Sequence, residues 1–241
     1  QDVKQFNIGL NNYAVVGQPF PVLEVNDVQR DPATGKVVID PSTGYPKLVD
    51  TLNIVGRSTP SDMLNINTTI SWKNLSLNLL ASYWTGNQFY AVVGQQLDFT
   101  GSSMHTALNN RENFIFPNSV YKDNSGKFVE NTQYQVRDGA RGFWTVSDYT
   151  KAGTTYIVDG SFWKLRSVTL SYDFKDQLKN VKFVKNVVLS LIGKNLLMWR
   201  PSQNLWTDPE FNADNVNAQS NSNYNQLPPT RQFGVSLDVT F

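Results

Sequence analysis

Apolar and polar residues alternate one by one over several stretches of this chain, and helical spacing is scarce, so the pattern predicts strands with two unlike faces. The cleanest stretch is 231–241, where Phe233, Val235, Leu237, Val239 and Phe241 share one face and Gln232, Gly234, Ser236, Asp238 and Thr240 the other. Over 63–73, Leu64, Ile66, Ile70 and Trp72 alternate with Asn65, Asn67, Thr69, Ser71 and Lys73. Over 75–85, Leu75, Leu77, Leu79, Ala81 and Tyr83 alternate with Ser76, Asn78, Ser82 and Trp84, and Leu80 is the one lapse. Only Lys73 and Asn74 separate these two runs, which predicts a tight hairpin. A fourth run, 161–174, sets Val168, Leu170, Tyr172 and Phe174 against Ser167, Thr169, Ser171 and Asp173, but Trp163 and Leu165 fall on the opposite parity. A bulge would produce that slip, and so would a strand leaving its apolar surroundings. A fifth run, 186–199, has Val187, Leu189 and Leu191 against Ser190 and Lys194, blurred by Val188, Ile192 and Leu196, with Gly193 a candidate bend. A sixth strand is expected at about 3–10.

Run length bears on the surroundings of these strands. Eleven residues at about 3.3 Å each span roughly 36 Å, and a tilt of about 45° reduces this to roughly 25 Å, the apolar band of an outer-membrane barrel. Aromatics gather at run ends, Trp72, Phe174 and Phe241 at one set and Tyr83, Trp84 and Trp199 at the other, as interfacial girdles require. With Phe241 placed in the periplasm, the short links 73–74 and 175–185 fall on that side and the long segments 11–62, 86–160 and 200–229 fall outside, the asymmetry such barrels show. Loops of that length suit a ligand-facing surface better than a soluble domain. Five or six strands are fewer than the roughly eight of the smallest barrels, and an open edge in lipid leaves backbone groups unpaired. Further strands are therefore expected to complete the wall.

Composition narrows the classes. Hydrophobic residues are 40% and charged residues 17% of the 241, which leaves little material for a large dry core. With 21 Lys and Arg against 20 Asp and Glu there is no field to draw in nucleic acid. The absence of Cys excludes disulfides, thiolate metal sites and a cysteine nucleophile. No apolar run of about 18 residues occurs, so no spanning helix is expected and a barrel is the remaining way to cross a bilayer. The first residues lack the basic and apolar regions of a signal peptide, so either a leader has been removed or the chain is an internal piece.

Candidate chemistry is thin. His105 has no second His and no nucleophile elbow near it, and reads as a plain loop histidine. The stretch 123–130 suggests a calcium loop, but Gly126 comes too early for the pattern and a turn is the better reading. Asp159 with Asp173, and Asp208 with Glu210, are carboxylate pairs of the kind hydrolases use, yet strand capping and turn hydrogen bonding account for them more simply. The aromatics Phe143, Trp144, Tyr149 and Trp206 could stack on a sugar or peptide, or equally pack the loops or meet a partner.

Three stretches resemble the SusC-like TonB-dependent transporters. The stretch 156–174 reads YIVDGSFWKLRSVTLSYDF, similar to the family's acidic-Gly-Ser-Phe turn, here including Gly160, Ser161 and Phe162, before an L-x-x-V-T-L-x-Y strand. The stretch 187–210 resembles a strand ending in G-x-N-L, with Asn195, then Trp199, then Asp208-Pro209-Glu210. The close, Pro229-Thr230-Arg231 and a strand ending in Phe241, is similar to the family's final P-x-R and terminal aromatic. Upstream, DPATGK at 31–36 and GRSTPSD at 56–62 look like the family's D-x-x-G turn and G-x-x-x-P-D strand start. Pro201 to Thr207 departs from the family's usual approach to Asp-Pro-Glu.

The resemblance implies an all-β fold: a transmembrane antiparallel barrel of about 22 strands, of which 1–241 supplies the C-terminal five or six with long extracellular loops. It implies import of glycans or peptides across the outer membrane of a Bacteroidota-type bacterium, without catalytic, cofactor or metal residues. The implied partners are the rest of the barrel and its plug, a SusD-like surface lipoprotein, TonB acting through the absent N-terminal part, and outer-membrane lipid. Phe241 and Phe233 would carry the assembly signal, while Trp144, Tyr149 and Trp206 are candidate ligand or partner contacts. A reading from another class is a secreted soluble β-sandwich that binds glycans, with its apolar faces paired sheet to sheet. A third is a complete small barrel acting as an enzyme or adhesin.

Overall fold

A computed structural model describes residues 3–9, 11–206, 208–210 and 229–241. In chain order the strands are β1 (Gln5–Gly9), β2 (Asn12–Val15), β3 (Val22–Val28), β4 (Val37–Val38), β5 (Leu48–Arg57), β6 (Asp62–Trp72), β7 (Leu75–Thr85) and β8 (Gln88–Tyr90). They continue with β9 (Ser119–Lys122), β10 (Phe128–Glu130), β11 (Ile157–Asp159), β12 (Phe162–Asp173), β13 (Asn186–Trp199) and β14 (Gln232–Thr240). Short helices α1 (Val92–Phe99), α2 (Gly142–Val146) and α3 (Asp148–Lys151) lie between β8 and β11. No described helix is long and apolar enough to cross a membrane.

The longest strands make one antiparallel sheet in the order β14-β13-β12-β7-β6. Lys73, in the left-handed region at φ 55°, turns β6 into β7 so that Trp72 faces Leu75 and every later pair follows in register to Asp62 and Thr85. Register then carries the alternation across the sheet. Ile70, Leu77, Leu170, Leu191 and Val235 form one row on one face. Ser71, Ser76, Ser171, Ser190 and Ser236 form the neighbouring row on the other, where the hydroxyls of Ser171 and Ser190 lie 2.8 Å apart.

The apolar face is bare. Ile70 is 58% exposed, Leu191 51%, Leu237 61% and Phe233 79%, and among the described residues no second sheet covers them. A soluble sandwich would bury these groups, because each large apolar side chain left in water forgoes about 1.5–3 kcal/mol. That reading does not fit this sheet. The hydrophobic clusters lie instead in the connections: Val25, Phe89, Tyr90, Ala91, Tyr156 and Val158 form one, and Val136, Phe143 and Trp144 another.

The parity slip in β12 is a bulge. Leu165 pairs with Ala81 and Leu197, whereas Ser167 pairs with Leu80 and Lys194, so Arg166 has no opposite number and Asn195 with Leu196 is accommodated on β13. Trp163 and Leu165 are thereby returned to the apolar face. Trp163 stacks on Tyr83 at 4.6 Å and faces Trp199, so the aromatic row at this end is Tyr83, Trp163 and Trp199. Trp84, expected in that girdle, points to the other face and packs on Phe162 at 5.3 Å. The reason is its place one residue past Tyr83 in an unbroken alternation.

The long outer segment expected at 11–62 contains strands of its own: β2, β3 and β5 join β1 in a sheet ordered β1-β2-β3-β5, and β4 lies beside β9 in another. The strand expected at 3–10 exists as β1, but it pairs with β2 and does not extend the five-stranded sheet. Strand positions 3.3 Å apart along β12 should respond oppositely to charge. In the full-length protein Leu170→Arg is expected to lose about 2–4 kcal/mol of stability in phospholipid vesicles, while Thr169→Arg on the opposite face is tolerated. Equilibrium unfolding from vesicles checks this, and equal losses would refute the assignment of faces.

Candidate functional site

The bulge shapes the inward, polar face of the sheet near the loops. With strict alternation counted back from Ser167, Lys164 and Arg166 would point to the apolar side; the extra residue turns both inward. There they meet Asp208 and Glu210. Lys164 Nζ donates to Asp208 Oδ2 at 2.6 Å and to Glu210 Oε2 at 2.7 Å, and Arg166 grips both oxygens of Glu210 at 3.1 and 2.5 Å. Arg166 Nε donates to Ser82, whose hydroxyl donates to Asn65, so the network reaches across three strands. The Lys164 and Asp208 side chains are only 7% and 3% exposed, deep enough that each charge needs opposite charge beside it. Burial pushes the Glu210 carboxyl up, but the hydrogen bonds from Arg166 and Lys164 outweigh it and hold the group below its ordinary range. The Asp208-Pro209-Glu210 turn, closed by Glu210 N donating to Asp208 Oδ1 at 3.0 Å, is thus an ionic latch fastening the segment after β13 to the five-stranded sheet.

Other residues singled out in the sequence take structural places. Gly160 N donates to Asn87 O at 2.9 Å, and a Cβ there would lie 2.3 Å from Asn87 Nδ2, so any side chain would have to displace the Asn87 carboxamide. Ser161 and Thr85 share a hydroxyl contact of 3.0 Å, and Phe162 is 2% exposed. Asn195, at φ 54°, sits in the bulge and donates to Thr230 O. Phe233 and Phe241 are exposed, the latter 72%, and Lys185 Nζ donates to the Phe241 carbonyl at 2.8 Å. Asp159 ends β11 and Asp173 ends β12, each accepting from a backbone N–H two residues on, and with the length of β12 between them they form no acid–base pair. Asp123 likewise caps a turn, accepting from Ser125 and Lys127, and these bonds hold its carboxyl low.

The loop aromatics pack together. Phe143 stacks on Tyr149 at 5.3 Å and meets Tyr45, Phe114, Phe116 and Trp144 edge-on or tilted. Trp144 and Tyr149, with Phe114, Phe116 and His105, line a cavity of about 290 Å³. His105 also touches Trp206 edge to face at 5.0 Å, and so links the three aromatics that the sequence set apart. Its Nδ1 lies 3.6 Å from Asp98, whose other close partner is the Tyr156 hydroxyl, donating at 3.0 Å. Burial, and then the Asp98 charge, push the Tyr156 hydroxyl up, which keeps it a donor. Among the described residues no group of His, Asp and Glu could hold a metal ion.

Comparison with known proteins agrees with this architecture. The chain is 25% identical over 206 residues to the TonB-dependent receptor P26 of Formosa agariphila, a match covering 78% of this chain and 18% of that protein. Its fold matches the RagAB peptide importer in the closed-closed state with TM-score 0.62 and 16% identity, and in the open-open state with the same score and identity. These matches cover 98% and 99% of this chain and 24% of that one. The chain therefore spans less than a quarter of the relatives it matches. No protein-family profile matches it. In sequence the chain is similar to a TonB-dependent receptor, and in fold to part of the RagAB peptide importer. The fold shared with that importer is one of antiparallel β-strands and the loops between them.

The latch has two measurable consequences in the full-length protein. Asp208→Asn leaves the buried Lys164 ammonium short of a counter-charge and is expected to cost about 3 kcal/mol of local stability, seen as faster hydrogen exchange at the Trp206 amide. Unchanged exchange would contradict the latch. Because the folded Glu210 carboxyl titrates below its ordinary 4.5, its contribution is complete above about pH 4.5 and is lost as pH falls through the lower folded value. Protection at the same amide should therefore drop on acidification, and Glu210→Gln should remove that dependence.

Proposed function

We propose that this chain forms wall strands and extracellular loops of a TonB-dependent importer of glycans or peptides. The observation that carries this reading is the five-stranded sheet whose apolar face is bare while its polar face bears the serine row and the latch. A bare apolar face suits lipid, a polar one suits the inside of a transport barrel, and loops with their own small cores suit a ligand-facing surface. The strands have their ends ordered so that the two-residue turn at 73–74 and the link 174–185 lie together, with 62, 85, 162 and 199 at the other end. We assign the first end to the periplasm and the second to the exterior.

In this account the missing wall strands and a plug come from the remainder of the transporter, a SusD-like lipoprotein closes the loop side, and TonB acts through the plug. The likeness to a TonB-dependent receptor and to the RagAB peptide importer supports that assembly. Phe241, with Phe233 eight residues behind it on the exposed face, is the assembly signal read during insertion.

Deleting the gene for the full transporter should abolish TonB-dependent uptake of a peptide or glycan digest, measured as growth on that digest, and plasmid-borne restoration should recover it. Unchanged uptake would refute the importer reading. Phe241→Asp should lower the amount of protein in outer-membrane fractions several-fold, and an unchanged amount would refute the signal role.

A further inference from the structure

Two small cavities lie side by side on the loop segment between β8 and β11. The first, of about 290 Å³, is walled by rings: Phe114, Phe116 and Tyr149 are half-buried, Trp144 is 9% exposed, and the exposed Leu108 and Ile115 complete the lining on the solvent side. Phe116 meets Tyr149 at 65° and Trp144 meets it at 74°, so the walls offer both ring faces and ring edges. The second cavity, of about 220 Å³, has Arg111, Arg141 and Trp144 among its lining residues. Trp144 thus belongs to both. Asn109 lines the first and Arg111 the second, and two residues of chain hold their Cα atoms within about 7 Å of each other. We infer that the paired cavities are one binding site for a small aromatic acid, its ring in the first and its carboxylate between the two arginines.

The backbone that joins them is strained. Asn109, Asn110 and Arg111 are left-handed in succession, at φ 55°, 53° and 60°, whereas residues other than glycine take that form singly, and Asn more readily than Arg. Strain of this kind collects where a ligand is gripped. Its effect here is to bring Arg111 back toward Gly101, whose carbonyl accepts from Nη2 at 3.1 Å, and so onto the wall of the second cavity. Neither Arg111 nor Arg141 forms an ion pair with a described carboxylate. The acid on that wall, Asp98, is 1% exposed, accepts from the Tyr156 hydroxyl at 3.0 Å and stands 3.6 Å from His105. The charge left over is positive, and planar guanidinium forks suit a carboxylate.

The lining also selects against other ligands. An uncharged arene gains nothing from the arginines. A sugar finds only His105 and Asn109 as polar side chains among the described residues of the ring-walled cavity, too few for its circle of hydroxyls. A free amino acid brings an ammonium group, for which the one described acid of the lining is the buried and engaged Asp98.

Binding is a property of these loop residues themselves, while any part it plays in uptake rests on the importer reading. The probe para-fluorophenylpropionate is titrated into the full-length transporter in lipid nanodiscs and followed by fluorine NMR, beside its amide, which keeps the ring, and glucuronate, which keeps the carboxylate. The acid should bind about 10-fold more tightly than the amide, and glucuronate should not displace it. Arg111→Gln and Arg141→Gln should each cut the acid's affinity about 5-fold and leave the amide's unchanged, while Phe116→Ala should weaken both. Should a variant fail to insert, the unaltered protein decides: the acid, and not the amide, should shield Arg111 and Arg141 from phenylglyoxal, read by peptide mass spectrometry. Equal binding of acid and amide, displacement by glucuronate, indifference to the substitutions, or unshielded arginines would overturn the site. A transporter that reaches the outer membrane and imports by TonB yet fails these tests defeats this site only, whereas absence from the outer membrane defeats the importer reading.

Discussion

In hydrocarbon, a backbone N–H or C=O without a partner costs several kcal/mol, and the antiparallel ladder is how strands meet that demand. The ladder has a second consequence. Because side chains alternate, pairing five strands in register aligns Ile70, Leu77, Leu170, Leu191 and Val235 on one face as surely as it aligns five serines on the other. A sheet so divided cannot stand in water alone, and in this chain nothing described covers its apolar side. The dry cores belong to the connections, where short segments such as Phe89 to Ala91 and Tyr156 to Val158 pack on Val25. Wall and loops thus have opposite solvents.

One unpaired residue joins the two. Without the bulge at Arg166, that side chain and Lys164 would face lipid, at about 2–4 kcal/mol each near the bilayer centre and less toward the interface. With it, both cations turn inward and hold Asp208 and Glu210. The same irregularity that restores Trp163 to the aromatic row therefore anchors a loop. A bulge beside a functional feature is the usual company of such defects.

The wall was legible because its rule is local: a period of two over eleven residues needs no knowledge of the partner strand, and the Lys73-Asn74 turn fixed the first pairing. The latch was not, because Lys164 and Asp208 lie 44 residues apart and the Asp208-Pro209-Glu210 motif does not say which cations it meets. The trace on the β12 side was the parity slip between Leu165 and Ser167, which fitted a bulge and a departing strand equally well. Loop structure was hidden for a related reason. β3 and β5 pair through two irregularities, between Leu23 and Glu24 and between Val25 and Asp27, so no clean alternation marks 11–62 as sheet. Trp84 was misplaced because an aromatic at a strand end looks alike on either face until register is known.

The face assignment can be measured residue by residue, since the chain has no Cys of its own to compete with introduced labels. Single spin labels at 167 to 172 in the full-length transporter, reconstituted in lipid, would report collisions with oxygen and with a water-soluble nickel complex. Oxygen collisions should peak at 168, 170 and 172, out of phase with nickel. Labels at those three positions that are shielded from oxygen, or that collide with nickel as freely as their neighbours, would contradict a lipid-facing sheet.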